Sequence, residues 1–256
     1  MLLKNKKGIL FGALDADSIA WKVAQKCHQE GASIVLTNTE VAQRLGKIDD
    51  LAAELNVPFF PCDVSNLEDI ELLIDKSQEH FGGQIDFILH AVGMSYNIRK
   101  QKPYTNINYD FLQKTLDISA ISLHKILQTC YQKNALSDAG SVVTLSYIAA
   151  QRILPNYNDM TEAKALLESI VRHFGYYYGK NNKVRINAIS QSPTMTTAGK
   201  NIQGFQELYE QAEKISPLGN ATAEDCANLC SLLFSDYTTK LTMQTIYLDG
   251  GFSMCL

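Results

Sequence analysis

Apolar and polar positions along the 256-residue chain alternate between two patterns. Short runs that are apolar at nearly every position read as strands buried on both faces. They fall at 8–13, 33–37, 57–63, 85–91, 141–146, 184–189 and 244–248. Between them, apolar residues recur three and four apart, as on one face of a helix. In the first such stretch Ile19, Ala20, Val23, Ala24 and Cys27 form a stripe, with Asp17 or Ser18 as cap and Gly31 as stop. Helices are likewise expected over about 41–55, 67–81, 109–132 and 222–235, and from Tyr157 onward. Residues 94–107 read as a polar loop. Pro58 and Pro61 remove backbone donors from the third strand, so imperfect pairing is expected there.

Strands alternating with helices imply a parallel sheet covered on both faces. Right-handed crossovers then give an α/β, Rossmann-like, doubly wound sheet of about seven strands, in one domain spanning 1–256. Ligands of such sheets sit outside the carboxyl ends of the strands, where the winding reverses. Gly12, Asp63, Ala91 to Gly93, Tyr147 and Pro193 all fall just past expected strand ends. That coincidence is the main functional signal the residues give by themselves.

Composition narrows the classes. A net charge of −4 gives no electrostatic case for nucleic acid or an anionic membrane. No apolar run is long enough to span a bilayer. The apolar run after Lys7 is short, lacks a small-x-small cleavage site and leads into a helix, so it reads as the first strand and not as a signal peptide. The six cysteines form no CxxC pair, which fits reduced, mostly buried thiols in a cytoplasmic protein. The five histidines show no ligand spacing, so no metal is expected, and His90 reads as structural.

Two stretches carry candidate chemistry. The turn Gly12 to Ala20 joins the first strand to the first helix. A pyrophosphate could sit at that helix N-terminus, on backbone N–H groups and the Ser18 hydroxyl, with Gly12 allowing close approach. The G-x-G-x-x-G fingerprint is absent, and a plain strand–helix connection reads equally well. Asp15 and Asp17 would oppose a phosphate unless they point away. Asp63 could accept from an adenine amino group, or serve as a loop cap. After the second strand, Thr37 to Glu40 offer no Lys or Arg for a 2′-phosphate, and Glu40 would repel one. NADH is therefore favoured over NADPH, with Arg44 within possible reach of a 2′-phosphate.

The second stretch runs from Ser141 to Lys164. Tyr147 follows the strand, Pro155 breaks the chain, and Tyr157 stands seven residues before Lys164. On a continuous helix that interval is two turns, so phenol and ammonium would share one face. The cation would favour phenolate, and the phenol could donate to a developing oxyanion.

The chain resembles the bacterial enoyl-acyl-carrier-protein reductases of the divergent short-chain dehydrogenase/reductase family. Seven motifs in order carry the resemblance, from about Gly8 to Phe252. They are Gly12-x5-Ser18-Ile19-Ala20, Cys62-Asp63-Val64, His90-Ala91-Val92-Gly93, Leu145-Ser146-Tyr147, Pro155-Asn156-Tyr157-Asn158 with Lys164, Val184 to Ser190, and Asp249-Gly250-Gly251-Phe252. Six residues separate Tyr157 from Lys164, as in this family, where ordinary members of the superfamily have three.

The resemblance implies NADH-dependent reduction of the trans-2 double bond of an enoyl thioester carried by acyl carrier protein, in the last step of the fatty acid elongation cycle. It implies that Tyr157 donates to the thioester carbonyl, that Lys164 holds the nicotinamide ribose, and that Tyr147 lines the acyl site and assists proton delivery. Gly12, Ser18 and Ile19 would contact the pyrophosphate, and Thr39 the adenosine ribose. Asp63 and Val64 would meet the adenine, and Val92 and Gly93 would lie under the ribose. Thr194 and Thr196 would meet the carboxamide and phosphates, and Ser95 would lie beside the substrate carbonyl. A substrate-binding loop around 194–214, ordering on ligand binding, and a homotetramer are also implied. Gln191 to Met195 and the Ala91-Val92 pair depart from the pattern of better-known relatives, both at the nicotinamide end. A carbonyl or alcohol reductase of the same fold, and a silent nucleotide-binding regulator, are the alternatives.

Overall fold

The computed structural model describes residues 1–197 and 199–255. In chain order the elements are β1 (Lys7–Phe11), α1 (Ile19–Gln29), β2 (Ser33–Thr37), α2 (Glu40–Leu45), α3 (Ile48–Leu55), α4 (Leu67–Phe81) and β3 (Ile85–His90). There follow α5 (Tyr96–Arg99), α6 (Tyr109–Leu116), α7 (Ser122–Gln132), β4 (Leu136–Ser146), α8 (Met160–Asn181) and β5 (Arg185–Gln191). The chain continues through α9 (Phe205–Ile215), α10 (Ala223–Phe234), β6 (Thr245–Leu248) and α11 (Phe252–Cys255).

The strands lie in the order β2-β1-β3-β4-β5-β6, and every pairing is parallel. Winding reverses between β1 and β3, so the crevice opens between Phe11–Gly12 and His90–Ala91. Two apolar clusters cover the two faces, one with Ile9, Ile88 and Val142, the other with Leu10, Leu89 and Val143. This alternation along β1, β3 and β4 follows from the period of two in a strand. Each such residue is fully buried and contributes about 1.5–3 kcal/mol.

Three expectations are corrected. The sheet has six strands among the described residues, not seven, because 57–63 makes a single bridge, Phe59 to Leu36. Pro58 and Pro61 have no N–H, so a ladder cannot continue through them. The expected helix over 41–55 is two helices, broken where Gly46 turns extended. The segment 109–132 is helical but passes through a π turn at Asp117–Ile121. Ser119 in that turn accepts from the Met94 N–H at 2.9 Å, tying the helix to the loop after β3.

Candidate active site

A cleft of about 320 Å³ opens at the carboxyl ends of β1, β3, β4 and β5. Of the sequence-identified residues, Gly12, Ser18 and Ile19 form its wall at the first turn. Val92, Gly93 and Ser95 line it after β3, and Tyr147, Tyr157 and Lys164 line it after β4. Thr194 and Thr196 close it after β5. Thr39, Asp63 and Val64 do not line it. Thr39 accepts from the Ala42 N–H and caps α2, and Asp63 accepts from Ser65 in a local turn. Both still sit at the end of β2, since the Cys62 N–H donates to the Asn38 carbonyl at 2.9 Å.

Tyr157 is not on the helix that carries Lys164, which corrects the shared-face argument. Helix α8 starts at Met160. Tyr157 instead sits between Asn156 and Asn158, whose φ values are 69° and 50°. Asparagine tolerates this left-handed region better than other residues with a side chain. The turn is held from outside, because the Asn158 Nδ2 donates to the Lys102 carbonyl at 2.6 Å. Two left-handed residues around one tyrosine, and not helical periodicity, bring the phenol into the cleft that Lys164 also lines.

The rings of Tyr147 and Tyr157 have centroids 4.9 Å apart. The Tyr147 hydroxyl is buried and has no hydrogen-bond partner. Burial pushes both phenols well above the usual tyrosine range, so both remain protonated donors. The expected bias of Tyr157 toward phenolate is therefore absent. Burial pushes Lys164 down to about 8, opposed in part by Glu168 one helical turn on. Lys164 is fixed by donating from Nζ to the Leu145 carbonyl at 2.7 Å, which leaves two of its three donors for a ligand.

The first turn fits a dinucleotide pyrophosphate. The side chain of Ser18 makes no capping bond to α1, and no acid stands in its first turn. The first amides of a helix have no intrahelical acceptor, so they are open to an anion. Asp15 lines the cleft and accepts from the Asp17 N–H at 3.1 Å, and both acids have partners of their own. Asp15 accepts from the Thr197 hydroxyl at 2.6 Å, and Asp17 lies 3.5 Å from the Lys200 ammonium. Gly12 has φ of 102°, and a Cβ there would stand 2.2 Å from the Ala91 carbonyl oxygen. A Cβ on Gly93 would stand 3.3 Å from Met160 Cε and 3.9 Å from Lys164 Nζ, narrowing the cleft beside the ammonium.

The departures at 191–195 have a structural account. Gln191 is buried, and its Nε2 donates to the Thr194 hydroxyl at 3.1 Å and toward the Ala221 and Thr222 carbonyls. Ser192 accepts from the Ala221 N–H at 2.8 Å. The loop after β5 is thus braced by the side chains of Gln191, Ser192 and Thr194. Sequence reasoning also missed Met94 and Met160, which with Phe205 and Leu208 from the expected 194–214 loop give the cleft an apolar flank. The only signal for the two methionines was an apolar residue next to a candidate motif. His90 is structural as expected, with Nδ1 2.9 Å from the Thr144 hydroxyl and Nε2 2.9 Å from that of Ser122.

The family model described as Enoyl-(Acyl carrier protein) reductase matches residues 12–253. Among curated proteins, the NADH enoyl-acyl-carrier-protein reductase 2 of Rhizobium meliloti is 33% identical over 99% of this chain and 93% of its own. The NADH-dependent FabI of Bacillus subtilis is 31% identical over 98% and 96%. Among solved structures, the FabI–NADH complex from Alistipes finegoldii superposes with a TM-score of 0.98 at 58% identity, over 99% of this chain and 90% of that one. The NADH enoyl-acyl-carrier-protein reductase of Aquifex aeolicus gives 0.91 at 31% identity, over 98% of each.

Proposed function

The chain belongs to the enoyl-(acyl carrier protein) reductase family, and from that premise we propose how its own residues perform the reaction. It is an NADH-dependent oxidoreductase that reduces the trans-2 double bond of an enoyl thioester on acyl carrier protein, the last step of the fatty acid elongation cycle. NADH, when bound, supplies a hydride to the β carbon, and negative charge then develops on the thioester carbonyl oxygen. In our reading Tyr157 donates to that oxygen. Kept protonated by burial, it stabilises the developing charge more in the transition state than in the ground state. Lys164 uses its two remaining donors on the ribose hydroxyls. Tyr147 offers its unpaired hydroxyl to the acyl site and to proton delivery.

Gly12, Ser18 and Ile19 would hold the pyrophosphate, Val92 and Gly93 the ribose, and Thr194 and Thr196 the carboxamide and phosphates. Thr39, Asp63 and Val64 would serve the adenosine end, beyond the cleft and at the end of β2. NADH is favoured over NADPH because Glu40 opens α2, though Arg44 stands in its last turn. Ser95 would border the substrate carbonyl as part of the wall. The segment 194–214, here a 3-10 turn at Gly199–Asn201 and most of α9, would be the substrate-binding element. A homotetramer is part of the same reading, supported by Ile153, Leu218 and Met254, which are 93%, 88% and 80% exposed. A reducing, cytoplasmic setting accords with five buried free thiols. No described helix is long and apolar enough to cross a membrane.

The convergence of an unpaired buried phenol, a second phenol and a pinned ammonium in one cleft carries this reading. Steady-state oxidation of NADH and of NADPH with crotonyl thioester, and with a ketone, tests it. Turnover of the thioester with NADH preferred is expected. Preference for the ketone would make the protein a carbonyl reductase, and NADH binding without turnover a silent regulator.

A further inference from the structure

Asp159 is fully buried, and no step above uses it. One carboxylate oxygen accepts from the Ser95 hydroxyl at 2.5 Å. The other accepts from Asn97 Nδ2 at 2.7 Å and lies 2.9 Å from the Thr115 hydroxyl. These partners come from α5, its cap and α6, far from Asp159 in sequence. Asp159 itself is the N-cap of α8, where the helix dipole favours an anion. A buried carboxylate persists only when its lone pairs are occupied, and here donors from two other elements occupy them.

Asp159 therefore sits between two walls of the cleft. Two residues before it is Tyr157, and one residue after it starts the helix bearing Lys164. Across from it are Ser95, Ile98 and Arg99, which line the cleft on the other side. A second bond in the same sense joins Asn158 to Lys102. The bonding is directional: Asn97 also accepts from the Asn108 N–H at 2.9 Å, so its amide cannot flip without losing that bond.

We infer that Asp159 is a positioning residue, which holds the Tyr157 turn at fixed separation from the substrate wall built by α5. This rests on Tyr157 being the donor to the substrate carbonyl. Asp159 touches neither the cleft nor the reacting atoms, and it acts through the turn. The cofactor wall at Gly12 to Ile19 shares none of these hydrogen bonds, and Lys164 keeps its own bond to the Leu145 carbonyl, so the loss of Asp159 falls on turnover before NADH binding.

Asp159→Asn presents an NH2 group to donors that need an acceptor. A displacement of the order of 1 Å at a catalytic group costs about 10²-fold in rate, so kcat for crotonyl thioester should fall by about that factor, with NADH affinity, read by its fluorescence, unchanged. The exchange Asn97→Asp with Asp159→Asn keeps one carboxylate and one amide across the pair, and kcat should return to within about tenfold of wild type, since contacting residues couple. If Asp159→Asn does not fold, Thr115→Val removes one neighbour of the carboxylate from a helix outside the cleft, and kcat should fall with NADH affinity again retained. Wild-type kcat in the folded variant overturns the inference, and so does a parallel loss of NADH affinity. Tyr157→Phe is assayed alongside: if it keeps the wild-type rate, the donor role of Tyr157 fails, whatever Asp159 does.

Discussion

The rings of Tyr147 and Tyr157 lie 4.9 Å apart between centroids, with their planes inclined at 46°. The two phenols thus share one apolar flank of the cleft, yet only Tyr147 has a hydroxyl buried with no partner. An unmatched buried hydroxyl costs about 1–3 kcal/mol, so Tyr147→Phe should leave stability unchanged or raised by about 1 kcal/mol. The same change should lower kcat several-fold, because the site loses a donor. Thermal unfolding and steady-state kinetics on one preparation check both halves.

Burial pushes Lys164 down to about 8. Only its ammonium has three donors, one for the Leu145 carbonyl and two for the ribose hydroxyls, so kcat/KM should fall as pH rises through about 8. Its ordinary value is 10.5, and the unfolded chain therefore binds the extra proton between 8 and 10.5. Stability contributed by this group should rise with pH across that window, while activity falls. A pH–rate profile and denaturant titrations at pH 7.5 and 10 separate the two trends. Lys164→Met should abolish both.

Gly12→Ala should unfold the first turn or remove NADH binding. The added methyl meets the Ala91 carbonyl at 2.2 Å, at a φ of 102° that a residue with a Cβ rarely adopts. A loss of about 2 kcal/mol or more in denaturant unfolding is expected.

His90 is held neutral, its value lowered to about 3 by burial and by the nearby Lys164 charge. The unfolded chain takes up this proton near its ordinary value of 6.5, so the folded state should lose stability as pH falls from about 6.5 toward 3. His90→Gln should flatten that part of the profile, which denaturant titrations at pH 7 and 5 would reveal.

Much of this was legible in the order of the residues. Runs such as Ile85–His90 are mostly apolar because helices cover both faces of the sheet, and the pattern put Gly12, Asp63, Ala91 to Gly93, Tyr147 and Pro193 past strand ends, of which all but Asp63 line the cleft. The Tyr157–Lys164 pair was found for a wrong local reason: periodicity suggested one helix, whereas Asn156 and Asn158 make a left-handed turn. The Pro-Asn-Tyr-Asn string held that signal. The third strand was misjudged because apolar content at 57–63 outweighed two missing donors. Asp159 was invisible, since an aspartate before an apolar helix looks like a cap; its partners stand 64, 62 and 44 positions away. Long-range satisfaction of a buried charge has no local pattern to read.

The central claim is that Tyr157 supplies the hydrogen bond on which the developing enolate depends. Removing one such donor costs about 3 kcal/mol of barrier, so kcat of Tyr157→Phe on crotonyl thioester should drop by roughly 10²–10³-fold. The dissociation constant for NADH, titrated by fluorescence on the same protein, should stay within about twofold of wild type, because this interaction is made only in the transition state. A variant that turns over at the wild-type rate, or one whose loss of rate is matched by loss of NADH binding, would contradict the account.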